Sequence, residues 1–246
     1  MGTLTENQRH WLHYDWSQGG DEWSEAWGGS ESLWWGTLYP RLRRFLPTGT
    51  GLEIATGYGR FTAFLEDHCE RLIGVDLTPR CVEACRERFA GDPRLEFHVT
   101  DGTSLPMVAD RTVDLAFSFD SLVHVEAEVI AAYVGELART LRPDGIAFLH
   151  HSNVAALFVD GALPLDNRHW RAESVSARGV ADACARVALA CIGQEIVNWG
   201  QAELTDCFSL ITPRGSRHER PPVVFENPGF MAEAVRLAEL AKLYRP

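Results

Sequence analysis

Short apolar runs alternate with longer stretches of helical periodicity through the middle of this chain. Runs rich in β-branched, leucine and aromatic residues and bounded by turn residues read as strands. They predict strands at 51–56, 71–77, 95–99, 113–119 and 146–151. The run at 113–119 alternates poorly, as a strand buried on both faces does. Helical stretches fall between them at 60–68, at 79–89 with Pro79 in the first turn, and at 127–141, closed by Pro143 and the Asp144-Gly145 turn. A helix over 32–46, bent near Pro40, precedes the first strand. A further helix at 176–190 leads to strands at 191–199 and 205–212, close enough in sequence to form an antiparallel hairpin. Regular alternation of strand and helix predicts an α/β fold with a doubly wound, mostly parallel sheet whose ligands sit at the carboxyl ends of the strands.

The two ends depart from that rhythm. Residues 1–35 are polar and glycine-containing yet hold Trp11, Trp16, Trp23, Trp27, Trp34 and Trp35, six of the eight tryptophans. A disordered tail has no use for so many rings. They predict a lid over the ligand cleft, or rings that pack the segment onto the domain, and the two readings are compatible. Residues 36–213 form the main domain, with an irregular insert at about 152–175 that contains Asn167-Arg168-His169-Trp170-Arg171. Loops of that length are commonly functional when ordered. The tail, 214–246, is a basic, proline-marked link and an amphipathic helix over 229–243, with Phe230, Val235, Leu237, Leu240 and Leu243 expected to dock on the core or a second subunit.

A formal charge of −11 argues against nucleic acid as a partner, because phosphate binding needs a concentrated basic surface. No apolar stretch is long enough to span a membrane and the N-terminus lacks a signal-peptide pattern, so a cytoplasmic location is expected. Cys69, Cys81, Cys85, Cys184, Cys191 and Cys207 show no paired metal-binding spacing and read as buried reduced thiols, with no metal expected.

The chemistry concentrates in Leu52-Glu53-Ile54-Ala55-Thr56-Gly57-Tyr58-Gly59-Arg60-Phe61 and in Arg71-Leu72-Ile73-Gly74-Val75-Asp76. Each is a strand ending near a carboxylate, and the first runs through a glycine turn into a helix. A glycine turn opening a helix can hold a dinucleotide pyrophosphate. Here Thr62 replaces the third glycine of that fingerprint, and the Glu53 carboxylate would repel a pyrophosphate. The same carboxylate would attract S-adenosylmethionine, which carries an ammonium and a sulfonium and no phosphate. Asp76 is placed to accept hydrogen bonds from two ribose hydroxyls.

Further on stand Phe97-His98-Val99-Thr100-Asp101-Gly102, Val113-Asp114-Leu115-Ala116-Phe117-Ser118-Phe119-Asp120 and Leu141-Arg142-Pro143-Asp144-Gly145-Ile146. In this order and spacing the motifs resemble those of class I S-adenosylmethionine-dependent methyltransferases, with Ala55 where many members carry their first glycine. The resemblance implies a Rossmann-like, seven-stranded sheet closed by the C-terminal hairpin, with S-adenosylhomocysteine as the product of the cofactor. It places Glu53, Gly57 and Gly59 around the methionine and ribose, Asp76 on the ribose, and Asp101 on the adenine amino group with Gly102 allowing close approach. Leu77 is expected against the adenine and Phe117 beside the cofactor.

Asp120 and His124 lie four residues apart, one face of a helical turn, where a carboxylate can orient an imidazole as a general base. At the end of the fifth strand only one of His150 and His151 can face the cleft. His151, nearer the exposed loop, is the candidate. The runs at 117–124, 150–153 and 167–172 resemble a bacterial subgroup associated with sugar methylation in glycan and natural-product (antibiotic) pathways. Tyr14, Trp16, Asn153, His169 and Arg171 are the candidate acceptor contacts. The expected reaction is in-line methyl transfer to a hydroxyl or amino group of a small sugar-like or amino-sugar acceptor, with positioning supplying up to roughly 7–11 kcal/mol. A nicotinamide-dependent oxidoreductase, a non-catalytic S-adenosylmethionine-binding protein and a homo-oligomer seamed by the N-terminal aromatics remain open.

Overall fold

The computed structural model describes residues 3–244; Met1, Gly2, Arg245 and Pro246, the outermost ends of the two terminal segments, lie outside the described residues. Strands β1 (Thr48–Ile54), β2 (Cys69–Asp76), β3 (Leu95–Val99), β4 (Val113–Ser118), β5 (Leu141–Ser152), β6 (Leu189–Val197), β7 (Asp206–Pro213) and β8 (Val223–Asn227) form one sheet in the order β3-β2-β1-β4-β5-β7-β6-β8. β7 runs antiparallel to β5 and β6, which is the expected hairpin, and the other pairings are parallel. The order reverses between β1 and β4, the switch point at which an open α/β sheet parts to form a crevice.

Among the described residues, eight strands replace the expected seven. β8 occupies what the sequence presents as a proline-marked link, and it pairs with β6 at the sheet edge. Val223, Val224 and Phe225 are 58, 58 and 57% exposed, so neither face imposes the alternation that reveals a half-buried strand. β5 also starts earlier than residue 146. Its ladder with β4 shifts register between the pairs Val113–Leu141 and Leu115–Ile146, so the proline and glycine that suggest a turn form a bulge within the strand.

The helices are α1 (Leu4–His13), α2 (Ser30–Leu33), α3 (Tyr39–Leu42), α4 (Thr62–Leu65), α5 (Pro79–Arg88), α6 (Ala127–Thr140), α7 (Ala177–Arg186) and α8 (Phe230–Tyr244). α2 and α3 are joined by a π turn, Trp34–Leu38, within which the Tyr39 N–H reaches back to the Trp34 carbonyl. Pro40 has no N–H to offer the carbonyl four residues back, and the wider turn absorbs the misfit at the expected bend.

The sheet carries a core on each face. One packs Leu52, Ile54, Val75 and Ala116 under α6 and α7, through Ile130, Val134, Leu137 and Val180. The other packs Phe117, Phe148 and Phe208 under Trp27, Trp34, Phe61 and Phe230. The N-terminal tryptophans and the C-terminal helix thus share one layer. In α8 Phe230 and Ala234 are buried, whereas Val235, Leu240 and Leu243 are exposed, so only the first part of the expected apolar face docks on the core. Among the described residues no helix is long and apolar enough to cross a membrane.

Candidate active site

A cleft opens at the carboxyl ends of β1, β2 and β4, lined by aromatic rings and a few polar groups. Its first wall is the turn after β1. Ala55 leaves the strand at φ +64°, and Gly57 and Gly59 follow at +54° and +79°. Left-handed backbone suits glycine, and at Gly59 a Cβ would in addition lie 2.6 Å from the Phe89 ring. Ala55, standing in for a glycine, adopts the same region at a steric cost of about 1–2 kcal/mol.

Glu53 and Asp76 both line this end of the cleft. Glu53 is almost fully buried, and Thr62 Oγ1 donates to its Oε2 at 2.5 Å. Burial pushes the Glu53 carboxyl up to about 8, only partly offset by that hydrogen bond and by the Arg60 charge. Thr62, at the place of a dinucleotide fingerprint's third glycine, therefore serves the carboxyl. Asp76 Oδ2 accepts from the Gly57 N–H at 2.9 Å, and its Oδ1 accepts from the Thr78 N–H and hydroxyl at 2.8 Å each. The carboxylate thus ties the end of β2 to the glycine turn, and burial raises its pKa against those donors. Leu77 and Gly102 also line the cleft.

Asp101 does not reach it. Its carboxylate folds back on its own turn, accepting from the Thr103 and Ser104 backbone N–H groups at 2.7 Å each, and these donors, the Thr103 N–H foremost, hold it down at about 2. Phe117 is core, stacked on Phe148 below the strand ends, and Phe119 lines the cleft in its stead.

The floor is the segment after β4. Asp120 adopts φ +58°, and Ser121 leads into a single 3-10 turn, Leu122–His124. A helical pairing of Asp120 with His124 is thereby lost, because spacing by four puts two residues on one face only in a continuing helix. Asp120 Oδ2 lies 3.0 Å from Arg60 Nη2, and its Oδ1 is 3.9 Å from Arg171 Nη2. His124 Nδ1 lies 3.1 Å from the Trp170 carbonyl. A carbonyl only accepts, so Nδ1 carries the proton and Nε2 the lone pair. Burial, with the Arg171 charge, lowers His124 to about 4, which keeps the ring neutral at physiological pH.

His151 does not open onto the cleft. β5 continues through Ser152, which leaves both histidines fully buried within the sheet. His151 Nε2 is 2.8 Å from Ser209 Oγ and its Nδ1 2.8 Å from the Ser152 carbonyl, with burial lowering it to about 4. His150, equally buried, instead meets the segment after β4. Its Nδ1 accepts from the Asp120 N–H at 3.0 Å, and its Nε2 is 2.9 Å from Asp206 Oδ2.

Among the expected acceptor contacts, Trp16 lines the cleft, stacked on Tyr58 at 4.8 Å and 3° and lying 3.1 Å from where a Cβ on Gly57 would be. Tyr14 stands behind it, donating to Glu22 Oε1 at 2.7 Å, and burial with that carboxylate raises its hydroxyl to about 12. Asn153 is structural: its side chain accepts from the Ala177 N–H at the start of α7 and donates to the Leu204 carbonyl. Arg171 is buried, with Nε 3.0 and 3.1 Å from the two Asp206 oxygens. His169 lies beside the loop at Gly200, and burial followed by the Arg171 charge lowers its pKa.

Trp11 and Trp23, named in the sequence only as members of the N-terminal tryptophan cluster, line the cleft together with Arg60, and Asp206 anchors its floor from below. The density of N-terminal tryptophan was a signal for the first two. Asp206 had none, since its role arises only when β7 pairs with β5.

Part of the sequence and the fold are similar to those of known proteins. Residues 52–145 match the family model described as a methyltransferase domain. Phosphoethanolamine N-methyltransferase 1 of Triticum aestivum is 29% identical over 119 residues, 46% of this chain and 24% of that protein. Demethylmenaquinone methyltransferase of Clavibacter sepedonicus is 33% identical over 94 residues, 38% of this chain and 37% of that protein. The chain thus spans well under half the length of these curated relatives. The N-methyltransferase NodS of Bradyrhizobium japonicum, solved with S-adenosyl-L-homocysteine, superposes with a TM-score of 0.59 at 18% identity over 87% of this chain and 100% of that one. Residues 52–145 are thus similar to a methyltransferase domain, and the chain shares its fold and sheet architecture with these solved proteins.

Proposed function

We propose that this protein transfers a methyl group to a hydroxyl or amino group of a small, polar, sugar-containing acceptor. The observation that carries the reading is one cleft holding the Glu53 carboxyl, the glycine turn tied to Asp76, and the ion-paired Asp120 carboxylate, walled by Trp11, Trp16 and Trp23.

The residues fit S-adenosylmethionine. Glu53 is a buried carboxyl held near neutrality, and a cationic ligand would restore its charge. Arg60, the cation at this wall, is engaged by Asp120, which leaves poor provision for a pyrophosphate and speaks against a nicotinamide dinucleotide. Glu53 would meet the cationic methionine end, and Asp76 the ribose. When bound, S-adenosylmethionine supplies an electrophilic methyl group.

The chain's own residues do the positioning. Asp120, fixed beside Arg60, accepts a hydrogen bond from the acceptor's hydroxyl or amine and orients it. Ser121 offers a second polar group at the floor. The tryptophans cover an apolar ring face and exclude water, so the N-terminal segment acts as the lid. A sugar suits this arrangement, because it joins an apolar C–H face to hydroxyls that need partners once buried. Neutral His124, with its lone pair on Nε2 and its ring 5.8 Å from that of Trp11, is the proposed proton acceptor. His151 has no part in the chemistry. That phosphoethanolamine N-methyltransferase and NodS bear N-methyltransferase names favours nitrogen as the methylated atom.

The test is mass spectrometry with deuteromethyl-labelled cofactor and a panel of sugars, aminoglycosides and metabolite extract. A labelled product establishes the reaction, and its fragmentation places the label on nitrogen or oxygen. Cofactor binding with no labelled product across the panel and extract would favour a protein that binds without catalysing.

A further inference from the structure

Asp120 has a Cβ and yet holds φ +58°, a conformation that persists only where its surroundings over-determine it. Two groups grip the residue. Arg60 holds the carboxylate at 3.0 Å, and His150 holds the backbone, its Nδ1 3.0 Å from the Asp120 nitrogen. A ring nitrogen accepts an N–H only when it carries no proton itself. The His150 proton must therefore sit on Nε2, facing Asp206 Oδ2 at 2.9 Å.

Asp206 is fully buried and also bound by Arg171, whose Nη2 is 2.8 Å from Oδ2, so the tautomer of His150 is set by an anion that has its own counter-charge. The ring has little freedom to turn: Phe119, Trp199 and Phe208 surround it with centroids at 4.8, 5.0 and 4.8 Å. His150 is fully buried, away from the lining of the cleft, so it reaches the chemistry only through Asp120.

We propose that His150 is a positioning residue, whose unprotonated Nδ1 holds the Asp120 amide in the left-handed conformation and so aims the Asp120 carboxylate into the cleft, with Asp206 fixing the tautomer. The proposal rests on reading Asp120 as the group that orients the acceptor. Without the His150 bond the 119–124 segment relaxes toward an ordinary turn, and the carboxylate swings off its line.

The bond has a direct signature. In nitrogen-15-labelled full-length protein, a trans-hydrogen-bond coupling between the Asp120 amide and His150 Nδ1 is expected, with histidine nitrogen shifts showing Nε2 protonated and Nδ1 bare. A His150 ring protonated at Nδ1 overturns the proposal. Function is read with the acceptor found by isotope labelling. His150→Gln keeps a group near Nε2 and loses the acceptor for the Asp120 amide. It should lower kcat on the order of 10²-fold, as a misplacement of about 1 Å does, with KM and S-adenosylhomocysteine affinity unchanged. His150→Asn places an oxygen near the Nδ1 position and should restore most of the rate. Thermal melts of both variants identify any that fail to fold, and the coupling measurement stands without them. If Asp120→Asn retains full turnover, the reading of Asp120 fails. If Asp120→Asn loses turnover while a folded His150→Gln does not, this proposal alone fails.

Discussion

Glu53 shows how one buried carboxyl can link cofactor binding, stability and pH. Its pKa moves from 4.5 to about 8 in the folded chain. Between those values the folded state keeps a proton that the unfolded state has released, so rising pH removes stability through this window and the loss is complete above it. Buried His124 and His151, held at about 4, act in the opposite sense as pH rises to the ordinary imidazole range. The Glu53 contribution is therefore read in urea titrations as the stability difference between ligand-free wild type and Glu53→Gln, which should shift by on the order of a few kcal/mol between pH 5 and pH 8. The same variant should bind S-adenosylhomocysteine more weakly, because a neutral amide offers the ligand's ammonium no charge. In the wild-type protein, binding near pH 7 should expel a proton, visible as a calorimetric heat that varies with the ionisation enthalpy of the buffer. A wild-type-minus-variant difference that does not vary with pH would show that Glu53 keeps no extra proton in the folded chain, and an unweakened variant would show that it is not the cofactor's charge partner.

Elements acquire their roles from what they bring together. The insert is held to the sheet by Arg171, whose guanidinium meets Asp206 on β7, while Asp206 also holds His150 on β5. Burial alone would raise Asp206, but Arg171 and His150 outweigh it and keep its pKa below the ordinary carboxylate range. The stability from this pairing is thus present above the usual carboxylate pKa and is lost as pH falls through and below it. Arg171→Ala, which strands the Asp206 charge, should cost roughly 3–5 kcal/mol in chemical denaturation at pH 7. A loss under about 1 kcal/mol would mean that water already serves Asp206. On the opposite wall, Trp16 covers the glycine turn through its stack on Tyr58. Trp16→Ala should weaken S-adenosylhomocysteine about tenfold, near the 1.4 kcal/mol expected for a lost ring contact, and unchanged affinity would remove the N-terminal segment from the cofactor site.

These elements also mark how far the sequence could be read. Strands β1 to β4 and helices α5 and α6 were legible because burial on the sheet and defined turns impose local patterns. Glu53 and Asp76 were legible because a parallel sheet delivers its strand ends to one cleft. β8 was hidden because an uncovered edge strand has no alternation. The Asp120–His124 pairing misled because spacing by four has meaning only in a helix, and a left-handed residue starts this turn. Asp206, His150 and Arg171 lie on three segments whose meeting depends on β5–β7 pairing, which no local pattern encodes.

At the scale of the whole molecule, the N-terminal segment, the main domain and the tail share a core and should unfold as one unit. Trp27 from the first lies 5.3 Å from Trp199 of the second and 5.7 Å from Phe230 of the third, and a Cβ on Gly28 would come within 3.2 Å of the α8 backbone at Ala238. Excising residues 36–213 removes Trp27, Leu33, Trp34 and Phe230, all of them buried. A buried aromatic covers about 150–250 Å², worth at most ~4–6 kcal/mol at ~25 cal/mol per Å². Losing three such rings and a leucine removes an amount comparable with the whole of the roughly 5–15 kcal/mol that separates a folded domain from its unfolded chain. The full chain should therefore show coincident far- and near-ultraviolet circular dichroism transitions, whereas a 36–213 fragment should lack near-ultraviolet structure and bind a hydrophobic dye. A fragment that melts sharply and still binds S-adenosylhomocysteine would show instead that the terminal segments are accessories laid on a self-sufficient domain. In that case the tryptophan layer would owe its place to the acceptor and not to the fold.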